Sequence, residues 1–213
     1  MDKIRILCYG DSNTWGYISG SDHERYMEER WTRILQKLLG ENYEIIEEGL
    51  NSRTLISIDP RPGKEGKNGY EYLIPCLDTH EPINLVILML GTNELRYDYN
   101  KTPEEIGNIL EEYFVKTILN RKSRFKNTYP KLLIVAPPIV DEFVDEETSI
   151  KYKDATEKSK ELNDIYKEIA KKYNCHFLGN EELKTGVDGV HLTKESHKLL
   201  GELLNKKIKE IYK

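Results

Sequence analysis

The sequence predicts a three-layer α/β/α fold built on a doubly wound, parallel sheet of five strands. Short runs rich in apolar and β-branched residues alternate with longer segments whose apolar residues recur at helical spacing. The run LVILML at 85–90 is apolar at every position, which is typical of a strand covered on both faces of a parallel sheet. Repeated β-α alternation favours right-handed crossovers and helices on both faces of the sheet. Because no composition shift or flexible linker divides the chain, we predict a single domain over residues 1–213.

The strands and helices follow from the spacing of apolar residues. Helices are expected after a capping box, TPEE at 102–105, over an apolar stripe at 162–173, and after Thr193. The predicted strands are 4–9, 43–47, 85–90, 132–136 and a weaker one at 175–178. Each helical stripe, including Ile106, Ile109, Leu110, Tyr113 and Phe114 of the first helix, is interpreted as core packing.

Two long stretches, 52–70 and 139–153, match neither a helix nor a strand pattern. The first is rich in glycine, proline and lysine, and the second is acidic. Loops of that length usually serve a function or lie at a contact between subunits. We therefore expect both stretches near the functional site or at a subunit interface.

Composition and charge argue against several classes of partner. The 32 basic and 37 acidic residues give a net charge of −5, and no basic run carries interleaved aromatic residues. No nucleic acid partner is therefore expected. No apolar stretch approaches the length of a membrane span, and a strand starting by Lys3 leaves no room for a secretory signal. We expect a cytoplasmic protein without a membrane partner.

Cysteine and histidine positions favour neither a disulfide nor a metal site. Cys8, Cys76 and Cys175 are odd in number and lack CxxC spacing, and Cys8 is expected to be a buried free thiol. We expect the histidines outside the C-terminal motif to be structural or exposed, because none has a partner at metal-ligand spacing. They are His23, His80, His176 and His197. No metal or cofactor is predicted.

The residues suited to catalysis lie near the two ends of the chain. Ser12 stands in GDSN, in a turn after the first strand, and DGVH at 188–191 supplies Asp188 and His191. A histidine can activate a serine hydroxyl as general base, and an aspartate can fix the tautomer and orientation of the imidazole. Read singly, Ser12 could only cap a helix, Asp188 could be a turn residue, and His191 could be an interior histidine. Together they favour nucleophilic acyl transfer.

The fold brings these residues to one edge of the sheet. Ligands of open α/β sheets bind outside the carboxyl ends of the strands. If the strand order is 2-1-3-4-5, then Ser12, Gly49 and Asn93 follow three neighbouring strands. His191 lies on the loop between the fifth strand and the last helix, so it reaches the same edge.

Four blocks of the sequence, in order, resemble those of the SGNH hydrolases, also called the GDSL family. They are GDSN at 10–13, Gly49 in EEGLNSRT, GTNE at 91–94 and DGVH at 188–191. Further stretches, such as GDSNTWG at 10–16 and VDGVHLT at 187–193, are similar to the bacterial arylesterase and acyltransferase branch. The resemblance spans nearly the whole chain and implies the flavodoxin-like SGNH hydrolase fold.

The resemblance also implies the chemistry of the site. Ser12 would be the nucleophile, His191 the base and Asp188 its partner. The oxyanion hole would consist of the N–H groups of Ser12 and Gly49 and the amide of Asn93. It further implies a cofactor-free esterase that hydrolyses or transfers short acyl groups, acetyl especially, on small esters, and that assembles as a homo-oligomer.

Several neighbours of these blocks carry separate expectations. Glu94 stands where the family usually has aspartate, so the geometry beside the oxyanion hole could differ. Trp15 and Tyr17 could line the substrate pocket, with core packing an alternative for Trp15. Arg53 and Arg96 could bind an anionic leaving group, although a solvated or salt-bridged surface position is more common.

Alternative functions stay open at this level. A carbohydrate O-deacetylase, a thioesterase or a lysophospholipase would use the same site, and the fold does not choose among them. A flavodoxin-like module that holds an anion at the first β-α turn would have no enzymatic activity.

Overall fold

The structure, a computed structural model, describes residues 3–213 and contains a five-stranded parallel sheet in the order β2-β1-β3-β4-β5. Its strands are β1 (Ile4–Gly10), β2 (Tyr43–Gly49), β3 (Leu85–Met89), β4 (Lys131–Val135) and β5 (His176–Leu178). The predicted α/β class, strand number and parallel pairing are confirmed. The strand order expected from the sequence is also the one observed.

Helices connect the strands and end the chain. They are α1 (Ser12–Trp15), α2 (Trp31–Leu39), α3 (Gly69–His80), α4 (Pro103–Ile109), α5 (Lys116–Asn120), α6 (Glu146–Lys151), α7 (Ala155–Lys172) and α8 (Lys194–Ile211). Both predicted helix starts are observed: Thr102 and Glu105 form a reciprocal capping box, and Thr193 caps α8 by accepting from the N–H of Ser196. Within residues 3–213, none of the helices combines the length and apolar character that crossing a bilayer requires.

The helix that begins at the TPEE box differs from its prediction in its second half. A π-helical turn, Leu110–Val115, separates α4 from α5. A π turn holds more residues than an α turn, so the consecutive residues Phe114 and Val115 both face the core. Tyr113, predicted to lie in the apolar stripe, is instead 39% exposed and packs edge-on against Tyr70.

Helices cover both faces of the sheet and form two cores. On one face, α2 and α8 pack against Leu85, Ile87 and Met89 of β3. On the other, α3, α4, the π turn, α5 and α7 pack against Val86 and Leu88. Every residue of β3 is buried, as the unbroken apolar run predicts for a strand between two helical layers.

The register of the central strands brings their carboxyl ends level. Gly10 at the end of β1 pairs with Gly49 of β2 on one side and with Met89 of β3 on the other. The three loops that follow therefore begin side by side, at the edge where ligands of doubly wound sheets bind.

Candidate active site

Ser12, His191 and Asp188 form a continuous chain of hydrogen bonds at this edge. The Oδ2 atom of Asp188 lies 2.7 Å from Nδ1 of His191, and Nε2 of His191 lies 2.9 Å from Oγ of Ser12. Because an ionised carboxylate only accepts, Nδ1 carries the hydrogen, and Nε2 is left to accept from the serine hydroxyl. The hydroxyl is therefore already aligned with the group that can remove its proton.

Asp188 is held in its ionised form. Its Oδ1 atom accepts from the N–H groups of Val190 and His191, at 3.0 and 2.9 Å. Burial alone would raise the pKa of this carboxyl, but the hydrogen bonds and the proximity of His191 outweigh burial and hold the pKa well below its usual range. A charged, fixed acceptor keeps the imidazole in a single tautomer.

Tyr17, which the sequence suggested as a pocket residue, and Asn13, to which it gave no role in the site, hold the imidazole in place. The ring of Tyr17 stacks on that of His191, with centroids 4.3 Å apart. The amide of Asn13 donates to the carbonyl of Val190 at 3.2 Å and accepts from the N–H of Leu192 at 2.8 Å. These two bonds connect α1, which carries Ser12, to the loop that carries His191.

The start of α1 is fixed by Asp11. As N-cap, Asp11 accepts from the N–H of Asn13 at 2.9 Å and so serves as a structural hydrogen-bonding residue. Burial raises the pKa of its carboxyl to about 6, against the opposing effect of the Asn13 N–H.

Gly49 is glycine because the backbone of α1 approaches it closely. A Cβ at this position would lie 2.3 Å from the backbone nitrogen of Trp15 and 2.7 Å from the carbonyl carbon of Thr14. No side chain fits in that space, so the end of β2 and the turn at Ser12 are in direct backbone contact.

Asn93 lies in the 3₁₀ turn Thr92–Leu95 that follows β3. Its Nδ2 atom donates to the carbonyl of Arg53 at 3.0 Å, and this bond orients the amide. A carboxamide nitrogen has two hydrogens, so one remains for another acceptor.

A cavity of about 170 Å³ opens in front of Ser12. Ser12, Asn93, His191 and Tyr17 line it, whereas Gly49 lines a neighbouring cavity of about 470 Å³. Trp15 is not among the lining residues. Its ring lies under the guanidinium of Arg25, 5.0 Å from the ring centroid.

The fold and the sequence motifs both match known proteins. Residues 8–199 match the model of the GDSL-like lipase/acylhydrolase family. The chain belongs to this family. The predicted family and the predicted class, a carboxylic ester hydrolase, are thereby confirmed.

Solved structures resemble this GDSL-family hydrolase over nearly its full length. A carbohydrate acetylesterase from Sinorhizobium meliloti is 36% identical, with a TM-score of 0.90 over 98% of this chain and 100% of that one. The aryl esterase of M. smegmatis is 35% identical, with a TM-score of 0.87 over 97% and 98% of the two chains. A comparison with curated proteins found no match.

Glu94, where the family usually has aspartate, anchors the first long loop of the hydrolase. Its fully buried Oε1 atom accepts from the N–H groups of Leu55, Ile56 and Ser57, at 2.7, 3.1 and 3.3 Å. Its other oxygen lies 3.4 Å from Nζ of Lys101. The extra methylene thus extends the carboxylate toward the 52–70 loop.

Arg53 and Arg96 are buried, so the expectation of a surface position is wrong for both. Arg53 is 2% exposed, and its guanidinium donates to the Gly10 and Glu48 carbonyls and stacks over Tyr9. It connects the ends of β1 and β2, because its guanidinium donates hydrogen bonds to a carbonyl near the end of each strand. Arg96 lies at the wall of the 170 Å³ cavity.

Both long segments reach this cavity. Ser52, Arg61 and Lys64 come from 52–70, and Lys151 comes from 139–153, where the structure forms α6. His23 also lines the cavity, although the sequence had given it only a structural or surface role.

His80, expected to have no matched partner, lies in a group with Glu48 and Cys76. Atoms of the three that could bind a metal lie within 4.8 Å of one another. His80 Nε2 and Glu48 Oε1 are 2.7 Å apart, and burial raises the pKa of the Cys76 thiol to about 12. Cys76 and His80 share one face of α3, and Glu48 comes from β2, so no sequence spacing could reveal the group.

Proposed function

We propose that this hydrolase is a serine esterase that cleaves or transfers short acyl groups, foremost acetyl, on small esters. The observation that carries the proposal is the continuous hydrogen-bonded chain from Ser12 through His191 to Asp188. Nucleophile, base and orienting carboxylate are then the three groups that acyl transfer requires.

In the proposed reaction, Oγ of Ser12 attacks the ester carbonyl carbon while its proton passes to Nε2 of His191. The carbonyl oxygen becomes an oxyanion, which accepts from the N–H groups of Ser12 and Gly49 and from the free Nδ2 hydrogen of Asn93. As the tetrahedral intermediate collapses, His191 returns the proton to the departing alcohol. Water then attacks the acyl-serine with His191 as base, releasing the acid and restoring Ser12. A second alcohol in place of water gives acyl transfer.

The preference for short acyl groups is supported by the size of the site. The cavity in front of Ser12 holds about 170 Å³, and its lining side chains are mostly polar or charged. A long acyl chain would find little apolar surface there, so this observation disfavours a lysophospholipase. The similarity to a carbohydrate acetylesterase supports acetylated sugars as a second substrate class.

A fluorophosphonate probe tests the assignment of the nucleophile. We expect one covalent adduct on Ser12, no adduct after Ser12→Ala, and loss of 4-nitrophenyl acetate hydrolysis in the same variant. Ser52→Ala is the matched control, because Ser52 lines the same cavity and should leave labelling intact. An adduct that survives Ser12→Ala would refute the proposed nucleophile, and the absence of any adduct would favour a non-enzymatic module.

Asn93→Ala tests the oxyanion hole. Loss of one donor typically lowers kcat by about 10²–10³ with a smaller change in KM. A kcat close to that of the wild type would remove Asn93 from this role.

We also propose that the chain forms a homo-oligomer through the segment 139–153. Phe143 and Ile150 in this segment are 77% and 65% exposed, and exposed large apolar side chains often mark protein interfaces. Light scattering after size exclusion should show a smaller species for Phe143→Ser than for the wild type. Phe125, equally exposed elsewhere, provides the control variant Phe125→Ser. A monomeric wild type would contradict the proposal.

A further inference from the structure

The cavity in front of Ser12 has a strongly basic wall. Four basic side chains line it, namely Arg61, Lys64, Arg96 and Lys151. Among residues 3–213, no aspartate or glutamate contributes to that wall. This local excess of positive charge contrasts with the net charge of the whole chain, which is −5.

The two arginines already have carboxylate partners behind the wall. Asp59 lies 2.5 Å from Nη2 of Arg61 and 2.8 Å from Nη1 of Arg96. Arg96 also pairs with Asp98 at 2.5 Å. The bond from Arg61 holds the pKa of the buried Asp59 carboxyl well below its usual range, so this partner stays charged. These two carboxylates balance the charges of the two guanidinium groups.

The two lysines lack such partners. Nζ of Lys64 donates to the neutral hydroxyl of Ser52 at 3.1 Å. Nζ of Lys151 lies 5.6 Å from the ring centroid of Tyr152. Within the described part of the chain, neither ammonium group forms a salt bridge with a carboxylate, although both side chains are half-buried. A partly desolvated cation without a counter-charge is unfavourable unless a ligand supplies one.

The electrostatics of Lys151 agree with this account. Burial lowers the pKa of its ammonium group, and the positive charges of Arg61, Arg96 and Lys64 lower it further. The carboxylate of Glu147, four residues earlier on α6, opposes this shift without cancelling it and forms no salt bridge with Lys151. An anion placed in the cavity would relieve that repulsion. His191 and Ser12 line the same small cavity, so an anion there would lie close to a bound ester.

We propose that Lys64 and Lys151 form an anion subsite, and that the preferred substrates are small esters which also bear a carboxylate or phosphate group. This inference rests on the proposed esterase function and adds the charge of the substrate to it. Both anions offer oxygens that accept charge-assisted hydrogen bonds from ammonium groups. Arg96, whose charge its two carboxylates balance, forms a rigid edge of the subsite.

Matched acetyl esters test the subsite. 4-Acetoxybenzoate, 4-acetoxyphenyl phosphate and the neutral methyl 4-acetoxybenzoate carry the same acetyl group and differ in charge on the alcohol side. The mono-4-nitrophenyl ester of adipic acid carries a free carboxylate at the end of its acyl group. Its comparison with the neutral compound in which that carboxylate is a methyl ester tests a charge on the acyl side. We expect kcat/KM of the wild type to favour at least one anionic member of these pairs by about tenfold or more. That preference should shrink as ionic strength rises.

Substitution of the lysines assigns the preference to its residues. Lys64→Gln and Lys151→Gln should each lower kcat/KM for the preferred anionic ester by about tenfold. In the same two variants, kcat/KM for the neutral ester should stay within about twofold of the wild-type value. Retained activity on the neutral ester also shows that the variants fold. Lys153→Gln is the matched control, because this lysine is exposed two residues away and is not part of the cavity wall.

The outcomes separate this inference from the function on which it rests. Equal kcat/KM for charged and neutral esters, or an anionic preference that survives the double lysine variant, would overturn the subsite. Ester hydrolysis that survives Ser12→Ala would instead overturn the proposed function. The anionic ester whose kcat/KM falls most in the lysine variants shows whether the subsite prefers a carboxylate or a phosphate. It also shows whether that group lies on the alcohol side or on the acyl side of the ester.

Discussion

Asn13 connects the helix that carries Ser12 to the loop that carries His191, and its truncation should damage both stability and catalysis. In Asn13→Ala, the carbonyl of Val190 loses its donor and the N–H of Leu192 loses its acceptor. All three residues are buried. Leaving one buried polar group unpaired costs about 1–3 kcal/mol, so two give about 2–6 kcal/mol. Relaxation of the loop moves the expected value into the lower half of this range, about 3 kcal/mol.

For a chain of this length, each kcal/mol lowers Tm by about 2–4 °C, so Asn13→Ala should unfold about 6–12 °C below the wild type. A displacement of His191 by about 1 Å can reduce the rate about 10²-fold. We expect kcat for 4-nitrophenyl acetate to fall by about 10–100-fold, with little change in KM.

Thermal unfolding followed by circular dichroism, and initial rates well below Tm, measure the two effects. Asn108→Ala is the matched control, because Asn108 is exposed on α4 and its loss should change stability by less than about 0.5 kcal/mol. If Asn13→Ala shifted Tm no more than this control and kept the kcat of the wild type, the connecting role of Asn13 would be wrong.

Three further predictions concern the surroundings of the site. In Gly49→Ala, the new Cβ would lie 2.3 Å from the backbone nitrogen of Trp15. We therefore expect the free energy of unfolding to fall by about 1–3 kcal/mol and kcat to be lower. An unchanged stability and kcat would mean that α1 can move away from the new methyl group. In Glu94→Ala, the N–H groups of the buried residues Leu55 and Ser57 and of the partly buried Ile56 lose their acceptor. Stability should fall by about 3–5 kcal/mol, while Glu94→Gln, which keeps an acceptor oxygen, should lose less. Burial lowers the pKa of His197 from 6.5 to about 3. Between these two values only the unfolded chain binds the proton, so the free energy of unfolding falls as the pH drops below about 6.5. The expected loss at pH 5 is about 2 kcal/mol. Urea midpoints of His197→Leu should fall less steeply with acidification than those of the wild type, and parallel curves would contradict this assignment.

The elements of the fold could be predicted because their signals are local. An apolar run such as 85–90, the capping box at 102–105 and the threonine before α8 depend on neighbouring residues and on the period of the helix or strand. The short helix α6 was not predicted, because the stretch 139–153 shows no helical pattern of apolar residues. The misjudged helix after the capping box contains a π turn, whose extra residue changes the face on which the following side chains lie. That insertion has no reliable sequence pattern.

The sequence also determined which residues form the chain of hydrogen bonds at the site. Ser12 and His191 lie 179 positions apart, yet each belongs to a short block whose order along the chain resembles that of a known family. A doubly wound topology places loops after neighbouring strands on one edge. Local motifs plus topology were therefore sufficient to predict that these two residues would meet.

Tertiary structure alone decided how the site is supported and what charge it presents. The partners of Asn13 and Glu94 lie far away in sequence, and the burial of Arg53 and Arg96 depends on which loops cover them. Lys64 comes from the 52–70 loop and Lys151 from the end of α6, two segments without apolar periodicity in the sequence, and only folding brings them to one cavity. Desolvation and charge balance are set by the neighbours packed around a group, and a linear sequence does not specify those neighbours.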